Sequence, residues 1–373
     1  MSSTQRHAAR AQAGPTLSAI LQQVAQNGWD VTEVESSPES LAARVLHAAA
    51  QISDAVRLTK LQESVWLDST TRTNGRARLK LENEQVVGSF KIRGATNKLL
   101  SLSSTEAARG VVTCSTGNHA LAVLQACALA EERRRGWNIK PIIYVPTTVS
   151  TAKADRLIKL GAHIEYFGED CVDTENHARA AAAQQDQVYV SPYNDAEVAS
   201  GQGTVALELL SQLTPEQLHT VYVPVGGGGL ITGIASLLKA VKPRVQVVGC
   251  QPVASHVMER CVAAGKIVQE PSLSTLSDGT AGGVEENSIT LQPCRHLVDR
   301  WVLVEEADIA RAMVGLLDHD GLRLEGAAAM AVAAFIKDSQ ASHQSSQQSV
   351  VICCGGNVSD AAFAHARSLI NQG

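Results

Sequence analysis

Aromatic side chains are scarce in this chain: Phe, Trp and Tyr together make up 3% of its 373 residues. Any core must therefore rest on Ala, Val, Leu and Ile, within a hydrophobic share of 45% that is ordinary for a globular protein. No apolar run reaches the roughly 18 residues that a membrane span requires, so no membrane partner is indicated. No long basic run is present and the net charge is −5, which gives no reason to expect a nucleic-acid partner. The eight cysteines contain no Cys-x-x-Cys pair, which removes the basis for a zinc ribbon. Several sit in apolar runs such as Val-Ile-Cys353-Cys354, where a reduced thiol packs as a small hydrophobe. A reducing compartment, the cytoplasm, fits best. Two nucleotide signatures are missing as well. No register of the run at Gly226 satisfies G-x-G-x-x-G, and no Lys-Ser/Thr follows it, so neither NAD nor ATP is expected.

What the chain does contain is alternation. Length suggests about two domains. Strand-like runs fall at Ala77–Leu81, Gly110–Cys114, Pro141–Val145, His163–Phe167, Val188–Val190, Thr220–Val225, Val245–Cys250 and Val350–Cys354. Helix-like stretches lie between them at Asn118–Arg135, Thr151–Leu160, Asp173–Gln184, Gly201–Leu213 and Leu230–Ala240. Strands alternating with helices argue for an α/β fold of parallel sheets flanked by helices, with ligands beyond the carboxyl ends of strands. Residues 1–36, rich in Ser, Gln and Ala with Arg6, Arg10 and no acid before Asp30, read as a disordered N-terminal extension, with a transit peptide the alternative. Short helices are expected at Leu17–Val24 and Pro38–Ile52, the second capped by Ser36-Ser37, and a polar loop at Lys337–Ser349.

Four stretches carry possible chemistry. Gly88-Ser89-Phe90-Lys91-Ile92-Arg93-Gly94-Ala95 puts one lysine between glycines at a helix start, where a desolvated amine can form a Schiff base. Its plain alternative is a surface lysine in a turn. Cys114-Ser115-Thr116-Gly117-Asn118-His119 follows a strand and opens a helix, a cradle for a carboxylate or simply an N-cap. Gly226, Gly227, Gly228 and Gly229 also join a strand to a helix. Four glycines are costly as punctuation and sensible where backbone amides must approach a phosphate. Cys353-Cys354-Gly355-Gly356-Asn357 ends a strand, and the Cys354 thiol there is a weak hydrogen-bonding group suited to the edge of an aromatic ligand. A reactive lysine, a carboxylate cradle, a phosphate cradle and a polar contact to a ring describe a site for an amino acid on pyridoxal phosphate.

These stretches, over roughly residues 55–365, resemble the fold type II pyridoxal-phosphate family in its threonine/serine dehydratase and serine racemase branch. The resemblance implies a two-lobed, tryptophan-synthase-β-like architecture. Residues 37–109 and 196–373 would form the large cofactor-binding domain and 110–195 a small domain that closes on substrate. Lys91 would hold pyridoxal 5'-phosphate and then remove the substrate's Cα proton. Phe90 would pack by the ring, Asn118 bond its phenolic oxygen, Gly226 to Gly229 take the phosphate, and Cys354 face the ring nitrogen. Ser115, Thr116, Gly117, Asn118 and His119 would receive the substrate carboxylate, with Tyr193, Gly279 and Glu325 lining the pocket. The activity implied is loss of the hydroxyl of a β-hydroxy-α-amino acid to give a 2-oxo acid and ammonia. The partners implied are a small amino-acid substrate and a second copy in a homodimer.

Departures from the pattern keep alternatives open. Thr116 stands where racemases of this branch carry serine and many dehydratases alanine, so a serine racemase remains an alternative, with Thr116 moving the proton. Gln251-Pro252 replaces Glu-Pro, and Val257 replaces an aspartate of the family's cation site, so no metal is expected there. Glu325-Gly326-Ala327 replaces Glu-Pro-Ser, which points to larger substrates such as phenylserine, hydroxyaspartate or a hydroxyectoine-derived compound. No arginine is assigned to a distal carboxylate, which makes hydroxyaspartate the weaker of these. The remaining rivals are a β-replacement synthase and a cofactor-binding protein without activity. The chain stops soon after its final strand, so the C-terminal regulatory domain of biosynthetic threonine dehydratases is not expected.

Overall fold

The structure, a computed structural model, describes residues 16–35, 40–71, 77–134, 136–169, 171–341 and 348–371. Ten short strands form two sheets. They are β1 (Leu61–Glu63), β2 (Ala77–Lys80), β3 (Val111–Cys114), β4 (Ile142–Val145), β5 (His163–Tyr166), β6 (Val188–Tyr189), β7 (Thr220–Pro224), β8 (Gln246–Pro252), β9 (Arg300–Val304) and β10 (Ser349–Ile352). The larger sheet runs β1-β2-β10-β7-β8-β9 and the smaller β5-β4-β3-β6. Only the β1–β2 pair is antiparallel. Strands such as Thr-Val-Tyr-Val-Pro in β7 are buried along their whole length, as a parallel sheet covered by helices on both faces requires. β1 and β9 fall outside the expected runs. The first is a three-residue edge of Leu-Gln-Glu with no apolar stretch, whereas the second, Arg-Trp-Val-Leu-Val, carries four consecutive apolar residues and was legible as a strand.

The scarcity of aromatics is met by close helix contact. The helix Gly326–Ala341 is buried from Gly326 through Phe335, and six of those ten residues are alanine. The helix Ala196–Gln212 begins five residues ahead of the expected Gly201, because Asp195 Oδ1 accepts from the amides of Glu197 (2.8 Å) and Val198 (3.0 Å). It crosses the helix Lys91–Ser101 so closely that a Cβ on Gly201 would lie 2.6 Å from the Arg93 carbonyl oxygen. On its other side a Cβ on Gly233 would lie 2.1 Å from the Ala199 oxygen. The Gly201-Gln202-Gly203-Thr204 stretch is therefore a helix-crossing device that fixes the lysine-bearing helix.

Beneath that crossing lies a buried ionic cluster. Arg93 donates 2.7 Å bonds to both carboxylate oxygens of Glu82 and meets Glu208 Oε1 at 2.7 Å. Lys80 meets the other oxygen of Glu208 and the Thr59 carbonyl, the latter at 2.9 Å.

Three expectations change. Residues 16–35 do not trail free as a disordered extension. Ile20, Val24 and Trp29 enter the main core, and Trp29 Nε1 donates to the Leu213 carbonyl at 2.7 Å. The helix starting near 38 runs Leu41–Ile52 and is capped by Ser40, whose Oγ accepts from Ala43 at 3.1 Å. Residues 1–15, the expected caps Ser36 and Ser37, and 342–347 of the polar loop lie outside the described residues. The apolar cluster around Val111, Val123 and Val190 also takes in Ile92, Ala95, Leu99 and Leu100, so it straddles the expected domain boundary at residue 109. Among the described residues no helix is long and apolar enough to cross a membrane.

Candidate active site

The carboxyl ends of β3, β7 and β10 converge on a cavity of about 340 Å³ between the two sheets. Phe90, Lys91, Ser115 to His119, Tyr193, Gly226 to Gly229, Gly279, Glu325 and Cys354, all singled out in the sequence, line it together.

Lys91 is the first residue of its helix and Phe90 the residue before it. Backbone contacts stitch this segment to the one after β10: Phe90 N–H donates to the Cys354 carbonyl at 3.0 Å, and Gly356 N–H to that of Gly88 at 2.9 Å. Gly88 has φ +77°, and a Cβ there would fall 2.9 Å from the Asn357 amide, so glycine is required twice over. The stitch holds the amine of Lys91 and the thiol of Cys354 in one wall. Lys91 Nζ donates only to the Pro192 carbonyl, at 2.8 Å, and stands 5.2 Å from the Phe90 ring centre. Burial lowers its pKa to about 8, with Cys354, Glu175 and Glu325 resisting a further fall. The Cys354 thiol is pushed well above its ordinary range, first by burial and then by Glu325, and is neutral.

The loop after β3 is held open. The helix Asn118–Arg133 has Gly117 at its cap and no side-chain cap bond, which favours the cradle over simple capping by Ser115 or Thr116. Ser115 Oγ accepts from Gly117 N–H at 3.2 Å, and Thr116 faces the cavity. Asn118 Nδ2 donates to both oxygens of Glu325 at 2.9 Å, while its Oδ1 accepts from Asn357 Nδ2 at 2.8 Å. Glu325 is buried, and its pKa rises to about 7 through that burial, against the Asn118 bond and with the help of Asp278. Gly326 explains the departure that follows it: a Cβ there would lie 1.9 Å from the Leu276 carbonyl oxygen, which excludes proline.

Two expected substrate contacts, both in the cavity lining, also make contacts outside it. His119 is buried, its Nε2 donating to the Val190 carbonyl at 3.0 Å; burial, then the charge of Lys91, lowers its pKa to about 3. It supports the loop as a neutral ring. Tyr193 lies against the glycine loop, where a Cβ on Gly227 would come within 2.4 Å of its ring, and its hydroxyl accepts from Glu285 N–H at 2.9 Å. Its ring therefore backs the phosphate loop. Gln251 and Val257, which replace acids of the family's cation site, are both buried. The Gln251 amide donates to the Val225 carbonyl at 3.1 Å and accepts from Glu259 N–H at 2.9 Å.

The residues present fit pyridoxal phosphate. No group among the described residues accepts from the amides of Gly226, Gly227 and Gly228, which leaves them for a phosphate. Gly228, at φ +88°, turns the chain into the helix Gly229–Val241, and Thr290 Oγ1 braces the loop through the Gly227 carbonyl at 2.7 Å. A buried amine with a single neutral partner and a neutral thiol complete the set.

The structure also brings in residues that no motif marked. Lys153 and Arg156 line the cavity from the helix Thr151–Lys159, and Glu175 from the helix Cys171–Gln184. Burial, then Glu285 beside it, raises Glu175 to about 7. The available signal was positional: Lys153 and Arg156 sit three apart on a helix that follows a parallel strand.

The family model described as pyridoxal-phosphate dependent enzyme matches residues 52–355. The chain is 33% identical to the catabolic L-threonine dehydratase of Escherichia coli (strain K12) over 314 residues, 84% of this chain and 92% of that protein. Its structure is similar to the processed form of threonine deaminase isoform 2 from Solanum lycopersicum, with a TM-score of 0.81, 28% identity, and coverage of 98% of this chain and 92% of that one. Maize serine racemase is similar too, with a TM-score of 0.77 at 31% identity, covering 89% of this chain and 98% of that one. With a family match over most of its length and each element of the cofactor cradle in place, the chain belongs to the pyridoxal-phosphate dependent enzymes.

Proposed function

We propose that this protein is a dehydratase and ammonia-lyase acting on a β-hydroxy-α-amino acid. The observation that carries the reading is the Lys91 amine, enclosed in the cavity wall with its pKa lowered to about 8 and facing the neutral thiol of Cys354. Bound pyridoxal phosphate draws electron density away from the amino acid's Cα. Cys354, a neutral thiol, would face the cofactor's ring nitrogen and leave it unprotonated, which suits prompt loss of a β-substituent. Lys91 Nζ takes the Cα proton. The Cβ–O bond breaks, and the departing hydroxyl takes a proton and leaves as water. Glu325, titrating near 7, can supply that proton from its carboxyl. Hydrolysis of the remaining unsaturated amine consumes one water and gives a 2-oxo acid and ammonia, with no oxidant or reductant. The Ser115–Asn118 loop would orient the α-carboxylate, and Asn118 would bond the cofactor's phenolic oxygen. The sheet β5-β4-β3-β6, with the helices packed on it, is the lobe that closes. Seven free thiols among the described residues support a cytoplasmic setting, and the resemblance supports a homodimer.

The test is release of ammonia and 2-oxo acid from L-threonine, L-serine, 3-hydroxyaspartate and phenylserine, which must vanish in Lys91→Ala. A second reading, amino-acid racemase, is favoured by the Thr116 hydroxyl in the cavity wall and by the likeness to maize serine racemase. Inversion of L-serine without ammonia, lost in Thr116→Ala, would replace the first reading with the second.

A further inference from the structure

We propose that Lys153 and Arg156 form a subsite for an anionic group at the far end of the substrate's side chain. The substrate class is then a β-hydroxy-α-amino acid with a second carboxylate, of which 3-hydroxyaspartate is the shortest.

Both residues line the cavity from the helix Thr151–Lys159, which belongs to the smaller sheet, whereas the glycine loop follows β7 of the larger one. Three apart on a helix, they share a face. Neither is firmly neutralised. Among the described residues Lys153 Nζ has one partner, Asp278 Oδ2 at 3.5 Å, and both of those side chains are more than half exposed. Arg156 gives a single bond, 3.1 Å to the neutral amide oxygen of Asn357, although a guanidinium has five donors. Of the acids in the lining, Glu325 and Glu175 are raised to about 7 by burial and so carry only part of a charge each, while Asp278 is the exposed partner of Lys153.

Position matters as much as charge. Arg156 bonds Asn357, and Asn357 Nδ2 bonds Asn118 Oδ1 at 2.8 Å, in the loop suited to the α-carboxylate. The guanidinium is thus joined to that loop through two hydrogen bonds, which places the subsite beside it. Its planar fork can take a carboxylate with paired donors, and no strong ion pair has to be broken first. A threonine or serine side chain would leave it unused.

The identity of the substrate rests on the eliminase reading, whereas the charge preference of the subsite does not. The experiment measures kcat/KM for ammonia release by the holoenzyme with L-serine, L-threonine and each diastereomer of 3-hydroxyaspartate. One hydroxyaspartate isomer is expected to exceed serine. Arg156→Gln is expected to lower the hydroxyaspartate-to-serine ratio about 10- to 100-fold, chiefly through KM, with a smaller fall in Lys153→Met. A serine preference in the parent enzyme, or an unmoved ratio in both variants, overturns the proposal. Should no β-hydroxy amino acid yield a 2-oxo acid, the eliminase reading fails and binding decides the subsite. L-Malate should then perturb the absorbance of the bound cofactor at concentrations at least tenfold below L-lactate, an advantage lost in Arg156→Gln. Equal binding of the two acids overturns the subsite.

Discussion

One helix carries two cations, two residues apart, with opposite treatment. Arg93 points down into a closed cluster where Glu82 and Glu208 take its donors and Lys80 shares the second acid. Burial alone would lower its pKa, but Glu208 and Glu82 more than reverse that, and the direction is upward. Lys91 points into the cavity with a carbonyl for company, and burial wins. The same backbone thus makes one charge permanent and the other expendable. The difference lies in the supply of carboxylates. A positive group surrounded by matched acids is scaffold, and one left with a neutral partner is available for chemistry.

Glu208→Gln should break the comparison most severely. It leaves two buried cations on one carboxylate and should cost about 3–5 kcal/mol in denaturant unfolding. A loss below 1 kcal/mol would mean the cluster is wetter than the structure shows. Next comes Lys91→Met. At neutral pH the folded state withdraws a charged amine from water, so the cofactor-free variant should be more stable than the parent by up to about 3 kcal/mol while losing all turnover. The sign follows from proton counts. With a folded pKa near 8 below the ordinary lysine value of 10.5, the unfolded chain binds more protons between those values, and parent stability rises with pH across that window. The advantage of Lys91→Met should therefore be full below pH 8 and fade above it. An advantage that does not change with pH would point to packing alone. Gly227→Ala should cost about 1–3 kcal/mol and weaken pyridoxal-phosphate binding, because the added methyl meets the Tyr193 ring. Tyr193→Leu in the same background should recover part of the affinity, and failure to do so would place the clash elsewhere. Glu325→Gln should change stability least, and its effect is read in the pH profile. If the protonated carboxyl assists the departing hydroxyl, the parent's kcat/KM falls as pH rises through about 7, and the amide, always neutral, abolishes that inflection. An inflection that persists would assign the titration to another group, with Glu175 first in line.

The cofactor side of the site was legible because it is written in contiguous residues at strand ends. Lys91 with its glycines, the Ser115 loop, Gly226 to Gly229 and Cys354 each occupy a few adjacent positions that a parallel sheet must deliver to one edge. The substrate side was much less so. Lys153, Arg156 and Glu175 are isolated side chains on ordinary amphipathic helices, and their meaning comes only from which face the second sheet turns inward. His119 and Tyr193 were legible as neighbours of the site but not in their duties, because a ring bonded to Val190 and a ring packed on Gly227 are facts of tertiary contact. The packing of residues 16–35 was hidden for a similar reason. Its anchors, Ile20, Val24 and Trp29, are too few to announce a core element until the Leu213 carbonyl is beside them.

The glycine contacts behind the lysine-bearing helix have a mechanical consequence. With Gly94 against Val198 and Gln202, Gly201 against Arg93, and Gly233 against Ala199, three helices are bolted backbone to backbone. A joint of that kind, keyed by the Gln202 amide beside Gly94, resists sliding. On the proposed reading, any rocking that admits an amino acid would turn about this post, and the Lys91 amine would keep its place.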